Sequence, residues 1–335
     1  MSFSGWKKYI EEGDLVIVYM TRENMTPIFM KKGTVFQNRF GVYKHDDIIG
    51  KEYGSKLVSS NYRGFVYLLH PTPELWTLVL PHRTQILYIA DISFITTLLD
   101  MKPGVNVIES GTGSGSFSHS IARTIAPTGR LYSFEYHQDR ANLAQVEFNE
   151  HGFGDIIKMH HRDVCKDGFQ MKDQVNAVFL DLPAPWDAVA SAKEAFKQDR
   201  TGKICCFSPC IEQVARSVAA LDEHGFIDIT MYECLIREHT VAPIQKVDFS
   251  VAIKDAQDRK AKGLPSVESV AIKRKLGKDE PVPTAEEVEE AANLMLVSRT
   301  MGETRGHTSY LTFATFLPPS ATRIVDENVP ENDSN

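Results

Sequence analysis

Between Val105 and Ser118 the chain reads VNVIESGTGSGSFS, a short apolar run that stops at an acidic residue, passes three alternating glycines and opens into a helical pattern. No other stretch limits the possible folds as much. Val105, Val107 and Ile108 suit a buried parallel strand, and Phe117, Ile121, Ala122 and Ile125 fall on one face of the following helix. Gly111, Gly113 and Gly115 occupy the turn between them, where positive φ is allowed and a ligand can approach the backbone without meeting a Cβ.

The details of the loop select among ligands. A dinucleotide fingerprint reads G-x-G-x-x-G, with the helix N-terminus facing a pyrophosphate. Here the spacing is G-x-G-x-G, Ser116 stands in place of the last glycine, and Glu109 precedes the loop. A carboxylate there repels a pyrophosphate but suits the ammonium or sulfonium group of S-adenosylmethionine (SAM). The next strand, Arg130 to Phe134, ends at Glu135, about twenty residues on and placed to accept from ribose hydroxyls. SAM has that ribose and no phosphate.

Around this unit the pattern alternates between strand and helix. A helix over Asp91 to Leu99 precedes it. A helix from Gln138 to Glu150, a strand near Ile156 to His160 followed by Asp163, and a strand from Asn176 to Leu180 ending at Asp181 follow it. A strand from Lys203 to Phe207 then ends at Ser208-Pro209, and a helix carries Ile211, Val214, Ala215, Val218 and Leu221 on one stripe. Such alternation predicts an α/β fold with a doubly wound, mostly parallel, seven-stranded Rossmann-like sheet, whose ligands lie at the carboxyl ends of its strands. Glu109, Glu135, Asp163, Asp181 and Ser208 all fall at such ends. Phe226 to Leu235 and Val247 to Ile253 supply further strand candidates, and Thr308 to Phe316 reads as a last strand returning to the sheet.

The flanking regions differ in kind. Residues 1–78 hold short β-type runs at Leu15 to Tyr19, Thr34 to Phe36, Gly41 to Tyr43 and Phe65 to Leu69, and read as a small all-β domain. The strand-helix sheet then occupies 79–254. A charged, breaker-rich insertion spans 255–304, with a capping box at Thr284 to Glu287 starting a helix through Met295. The final strand covers 305–317, and an acidic tail expected to be disordered covers 318–335. No apolar run approaches the ~20 residues of a membrane span, and the N-terminal stretch lacks a signal-peptide core, so an intracellular protein is expected. Its five cysteines, odd in number and without paired C-x-x-C spacing, are expected to be reduced and to hold no metal. The net charge of -7 is awkward for a chain that grips nucleic acid alone, because phosphate affinity comes mainly from Lys and Arg. A nucleic-acid substrate would therefore call for a partner that brings basic surface.

The second stretch with chemical content is Asp181-Leu182-Pro183-Ala184-Pro185-Trp186, where two prolines stiffen the backbone just after a strand and hold the carboxylate in place. Methyl transfer from a sulfonium requires an in-line nucleophile, so positioning and electrostatics dominate its catalysis. Asp181 could equally cap the following helix, and Trp186 could be core.

These residues together resemble the SAM-dependent tRNA adenine-58 N1-methyltransferases, specifically the eukaryotic catalytic subunit. The blocks that carry the resemblance are LPHRTQILY (80–88), VIESGTGSGSFSHS (107–120), FLDLPAPW (179–186), FSPCIEQV (207–214) and RGHTSYLTFAT (305–315). The resemblance implies a SAM pocket of Gln85, Leu87, Glu109, Gly111, Gly113, Ser114, Gly115, Ser116, Glu135, Arg140, Asp163, Val164 and Asp181, with Asp181 as the catalytic residue holding a flipped adenine. The same blocks offer His82, Arg83, Pro183, Trp186, Ser208, Pro209 and His307 as substrate contacts. It further implies tRNA as substrate, a non-catalytic paralogous subunit completing a heterotetramer, nuclear location and no membrane. Three other readings compete: a non-catalytic RNA-binding subunit of the same fold, a nucleotide-dependent dehydrogenase, and an N1-adenine methyltransferase acting on another RNA such as mRNA.

Overall fold

A computed structural model describes residues 3, 5–245, 294–300 and 305–319, with isolated positions 254, 257, 258 and 261. The chain divides into two compact units, Met1–Cys234 with Gly306–Asn335, and Leu235–Arg305.

The first unit opens with β1 (Leu15–Thr21), β2 (Asn24–Phe29), β3 (Val35–Asn38), β4 (Gly41–Lys44), the short helix α1 (His45–Ile48), β5 (Lys56–Val58) and β6 (Phe65–Leu69). Four of these strands form a sheet in the order β2-β1-β6-β5, and β3 pairs with β4. Alternation along β6 sends Val66 and Leu68 inward and leaves Phe65 and Tyr67 exposed. Strand β1 is buried on both faces: Val16 and Val18 enter the β-region core, whereas Leu15 and Ile17 join the core of the large sheet. Helix α2 (Pro73–Val79) spans residue 78, where the expected β region ends, and its first turn is capped by the Thr72 hydroxyl accepting from the Leu75 N–H.

Beyond α2 come α3 (Ile89–Leu98), β7 (Asn106–Ser110), α4 (Ser116–Ile125), β8 (Arg130–Glu135), α5 (Gln138–Glu150), β9 (Ile157–His161), α6 (Val164–Asp167), β10 (Ala177–Leu180), α7 (Val189–Ala195), β11 (Gly202–Ser208), α8 (Ile211–Glu223) and β12 (Ile227–Ile236). The seven-stranded sheet runs β12-β15-β11-β10-β7-β8-β9, where β15 is Arg305–Phe316. Strands β7 to β11 pair in parallel and β15 lies antiparallel to β11, which is the expected mostly parallel, doubly wound sheet. Both faces are covered, as a parallel sheet requires. Val107 and Phe179 face one core, and Ile108, Val178 and Leu180 face the other, none more than 1% exposed. Burying each such side chain is worth about 1.5–3 kcal/mol, and a one-residue slip would exchange the two faces, so the register is strongly specified.

Two expectations need correction. On α8 the buried residues are Val214, Ser217 and Leu221, while Ile211 is exposed, so the buried stripe is narrower and turned from the apolar one. The expected helix through Met295 lies outside the described residues except at its end, where Leu294 and Met295 belong to a strand. That strand, β14 (Leu294–Thr300), pairs antiparallel with β13 (His239–Gln245) in the second unit. The candidate strand at 247–253 and the tail from 320 also lie outside the described residues.

Candidate functional site

The strand order reverses between β7 and β10: the chain steps outward through β8 and β9, then returns to β7's other side with β10 and β11. Ligands of doubly wound sheets bind at such a switch point. A cavity of about 600 Å³ opens there, lined by the glycine loop, the ends of β8 and β10, residues 84–87 and Leu182 to Ala184.

Register explains why two segments distant in sequence meet at it. Ser110 pairs with Leu180, so the residues after each strand are neighbours, and the Asp181 N–H donates to the Ser110 carbonyl at 2.8 Å. Gly111 has φ +96°, and a Cβ on it would overlap the Asp181 backbone carbonyl. Gly115 is left-handed at φ 75° and caps α4. The loop serines are tied to the segment before the loop. Ser114 Oγ accepts from the Arg83 and Thr84 N–H groups at 2.9 and 3.1 Å, and Ser116 Oγ lies 2.9 Å from Thr77 Oγ1 and 3.3 Å from the Leu87 carbonyl. These bonds fasten the segment after α2 over the loop.

Of the four carboxylates that line the cavity, Glu109, Glu135 and Asp181 sit in three different environments. Glu135 Oε1 accepts from the His137 N–H at 3.0 Å and from Arg140 Nη2 at 2.7 Å, and Oε2 accepts from the Gly113 N–H at 3.0 Å. Burial opposes its ionisation, but these donors outweigh it and hold the carboxyl below its usual range. Glu109, 1% exposed, accepts at Oε2 from Ser118 Oγ at 2.6 Å and Ser133 Oγ at 2.7 Å, and burial pushes it up to about 7. Asp181 is half-buried, and burial, then the negative charge of Glu135, raises it from 3.8 to about 7. Its carboxylate has no hydrogen-bond or ion-pair partner among the described residues, unlike the other two.

This donor set fits SAM and not a dinucleotide. Gly113, whose N–H would face a pyrophosphate, already donates to Glu135, and the carboxylates make the cavity hostile to phosphate. Each Glu135 oxygen has limited capacity, yet Oε2 accepts only one of the two hydrogen bonds its lone pairs allow, which leaves room for a ribose hydroxyl. The negative field suits a cationic ligand.

Of the residues expected at the site, Gln85, Leu87, Glu109, Gly111, Gly113, Ser114, Ser116, Glu135, Arg140, Asp163, Val164, Asp181 and Pro183 line the cavity. Asp163 also caps α6, accepting from the Lys166 N–H at 3.4 Å. Gly115 and the other expected residues whose side chains are described do not line it. Arg83 is held by Glu147 at 2.6 Å and by the Ser114 carbonyl at 3.0 Å. Trp186 is half-buried under the Arg216 guanidinium at 5.2 Å, Ser208 is fully buried, and His82 and Pro209 are exposed. His307 lies in β15, its side chain outside the described set. Asp181 caps no helix, since the turn after it has no side-chain cap. Sequence reasoning passed over the His137 N–H, Thr84, Arg162, Cys165 and Phe207. Only the first had a signal, its place two residues beyond the strand-end acid.

Comparison with known proteins gives consistent results. The family described as tRNA methyltransferase complex GCD14 subunit matches residues 64–316. The tRNA (adenine(58)-N(1))-methyltransferase catalytic subunit TRM61 of Candida albicans is 42% identical over 95% of this chain and 99% of that protein. Its Schizosaccharomyces pombe counterpart is 37% identical over 98% and 100%. Among solved structures, a SAM-dependent O-methyltransferase from Thermotoga maritima superposes with a TM-score of 0.68 at 25% identity, covering 92% of this chain and 95% of that one. The tRNA (m1A58) methyltransferase TrmI from Aquifex aeolicus has a TM-score of 0.63 at 19% identity, covering 92% and 98%, a likeness of fold.

Proposed function

The chain belongs to the family of tRNA methyltransferase complex GCD14 subunits, and from that premise we propose that it is the catalytic subunit that methylates N1 of adenine 58 in tRNA, with the extruded base held at Asp181. The chain is a SAM-dependent tRNA (adenine-N1)-methyltransferase. When bound, SAM supplies the electrophilic methyl group.

One observation carries the assignment within the site: Asp181 alone among the four carboxylates lining the cavity has no side-chain partner among the described residues, and it borders the cavity beside the glycine loop. Adenine N1 has a free lone pair at neutral pH and becomes cationic on methylation, so no strong base is needed. Asp181 accepts a hydrogen bond from the exocyclic amine, orients the ring and stabilises the positive charge that develops on it. Glu135, held by Arg140, His137 and Gly113, receives the ribose of the cofactor, and Asp163 the adenine amine. Glu109, with its carboxyl near neutrality, keeps the back of the loop in place through Ser118 and Ser133.

Replacing Glu135 with alanine removes a charge-assisted acceptor worth about 1.5–3 kcal/mol, so SAM affinity is expected to fall about 10- to 150-fold in calorimetry. Unchanged affinity would place the cofactor elsewhere.

The net charge of -7 favours a partner that brings much of the basic surface, and from the resemblance we propose that this partner is a non-catalytic paralogous subunit in a heterotetramer located in the nucleus. Mass spectrometry of nucleosides from tRNA incubated with SAM and this chain tests the reading. N1-methyladenosine at position 58, formed far better with the co-purified partner, is the expected result. The complex should also bind tRNA with a steep salt dependence that the isolated chain lacks. Methylation of mRNA but not tRNA, or tRNA binding as tight by the isolated chain as by the complex, would contradict it.

A further inference from the structure

Behind the glycine loop, on the side away from the cavity, two histidines are bonded to each other in the core. His119 on α4 is 0% exposed and His151, just past α5, is 1% exposed. His119 Nδ1 lies 2.6 Å from the Gly115 carbonyl oxygen, and His119 Nε2 lies 2.8 Å from His151 Nδ1. A carbonyl can only accept, so His119 Nδ1 carries a proton. The neutral ring then has a lone pair at Nε2, which must accept from a protonated His151 Nδ1. Geometry therefore orders the protons along one path, His151 to His119 to Gly115.

That path ends on the loop glycine that opens α4. Gly115 is the left-handed cap of α4, has no side chain to fix itself, and its carbonyl receives both the His119 N–H at 3.2 Å and the His119 ring. We propose that His119 and His151 form a proton-ordered relay that positions the glycine loop for its cofactor, His119 and His151 being positioning residues that never touch the ligand. The proposal rests on the reading that SAM occupies the cavity.

The surroundings keep the relay neutral. Its walls are Phe3, Trp76, Phe148 and Phe153, and the Phe3 N–H donates to the His151 carbonyl at 3.2 Å. The charged group acting on it is Arg83, from the segment after α2, itself paired with Glu147 at 2.6 Å. Burial lowers His119 from 6.5 to about 4, opposed by the Gly115 carbonyl that favours its proton and helped by Arg83, and burial, then His119, lower His151 to about 3. Because both folded values lie below 6.5, the relay favours the fold fully above that pH and loses its contribution as pH falls from 6.5 towards about 3.

The test has two arms on the full chain. Imidazole nitrogen NMR with labelled histidine should show two rings with Nδ1–H and bare Nε2, a tautomer uncommon in water, that stay neutral at pH 5.5. A His119 ring with Nε2–H, or one that titrates near 6.5, overturns the proposal without any ligand present. In the second arm, calorimetry with SAM compares His119→Leu with His119→Asn, whose amide nitrogen falls where Nδ1 was. Leucine should weaken SAM about five- to tenfold, asparagine should recover most of that, and kcat at saturating SAM should stay near wild type in both. Equal affinity in wild type and both variants overturns the relay. If wild type binds no SAM, the cofactor reading fails, and the tautomer measurement still decides the relay.

Discussion

Asp181→Ala is expected to lower the single-turnover rate at saturating SAM and tRNA by about 10²–10³-fold, the size of effect seen when one preorganised electrostatic group is removed from an active site. Asp181→Asn keeps an acceptor oxygen but not the charge, and should fall between alanine and wild type. Because the carboxylate acts on charge that develops during the reaction, tRNA affinity should change little in either variant. Near-normal turnover in Asp181→Ala would mean that another group holds the adenine. The raised carboxyl also predicts a pH signature. The rate needs the ionised form, so kcat/KM should rise with pH and level off above about 7, and in Asp181→Asn that limb should disappear. Stability should move the other way. A carboxyl raised from 3.8 to about 7 in the fold favours the native state below that window and loses this contribution as pH rises through it. The ligand-free Asp181→Asn variant should therefore melt a few degrees higher than wild type at pH 8, while turning over more slowly.

Gly111→Ala is expected to be as damaging without removing any functional group. The position has φ +96°, which alanine adopts only under strain, and the added Cβ would overlap the carbonyl of Asp181. Two segments must then separate, and they are the two that the proposed reaction requires to be adjacent. SAM affinity should fall at least about 100-fold, turnover should fall with it, and the fold should lose roughly 1–3 kcal/mol. Calorimetry and thermal melts check this. Gly50→Ala provides the comparison: its φ is also positive, at +89°, but a Cβ there meets nothing within 4 Å. If both substitutions weakened SAM equally, backbone strain alone would explain the effect and the contact with Asp181 would have no role.

The elements of this protein were legible where a single periodic pattern carried them. The Gln138–Glu150 helix and the strands ending at Ser110, Glu135 and Leu180 follow from apolar spacing and from acids at strand ends, both local properties. Strands β2 and β5 were not anticipated, because edge strands of a small sheet are short and half-exposed and leave little alternation to read. The run 75–80 carries no element signal of its own, and its helix depends on the Thr72 cap and on Trp76 finding a core.

The sequence by itself determined which residues stand at the carboxyl ends of the parallel strands, because period-two burial on both faces and the breakers after each strand are written locally. It thus assembled Glu109, Glu135, Asp163 and Asp181 as one set. Only the tertiary structure decided what each of them does. Parallel pairing of Ser110 with Leu180 seats Asp181 against Gly111, helix α5 brings Arg140 to Glu135, and α4 with β8 encloses Glu109 between two hydroxyls. The same packing takes Arg83 to Glu147 and joins His119 to His151. The charge state of a carboxyl and the tautomer of an imidazole depend on neighbours within a few ångströms, and those neighbours come from chain segments that no local pattern connects.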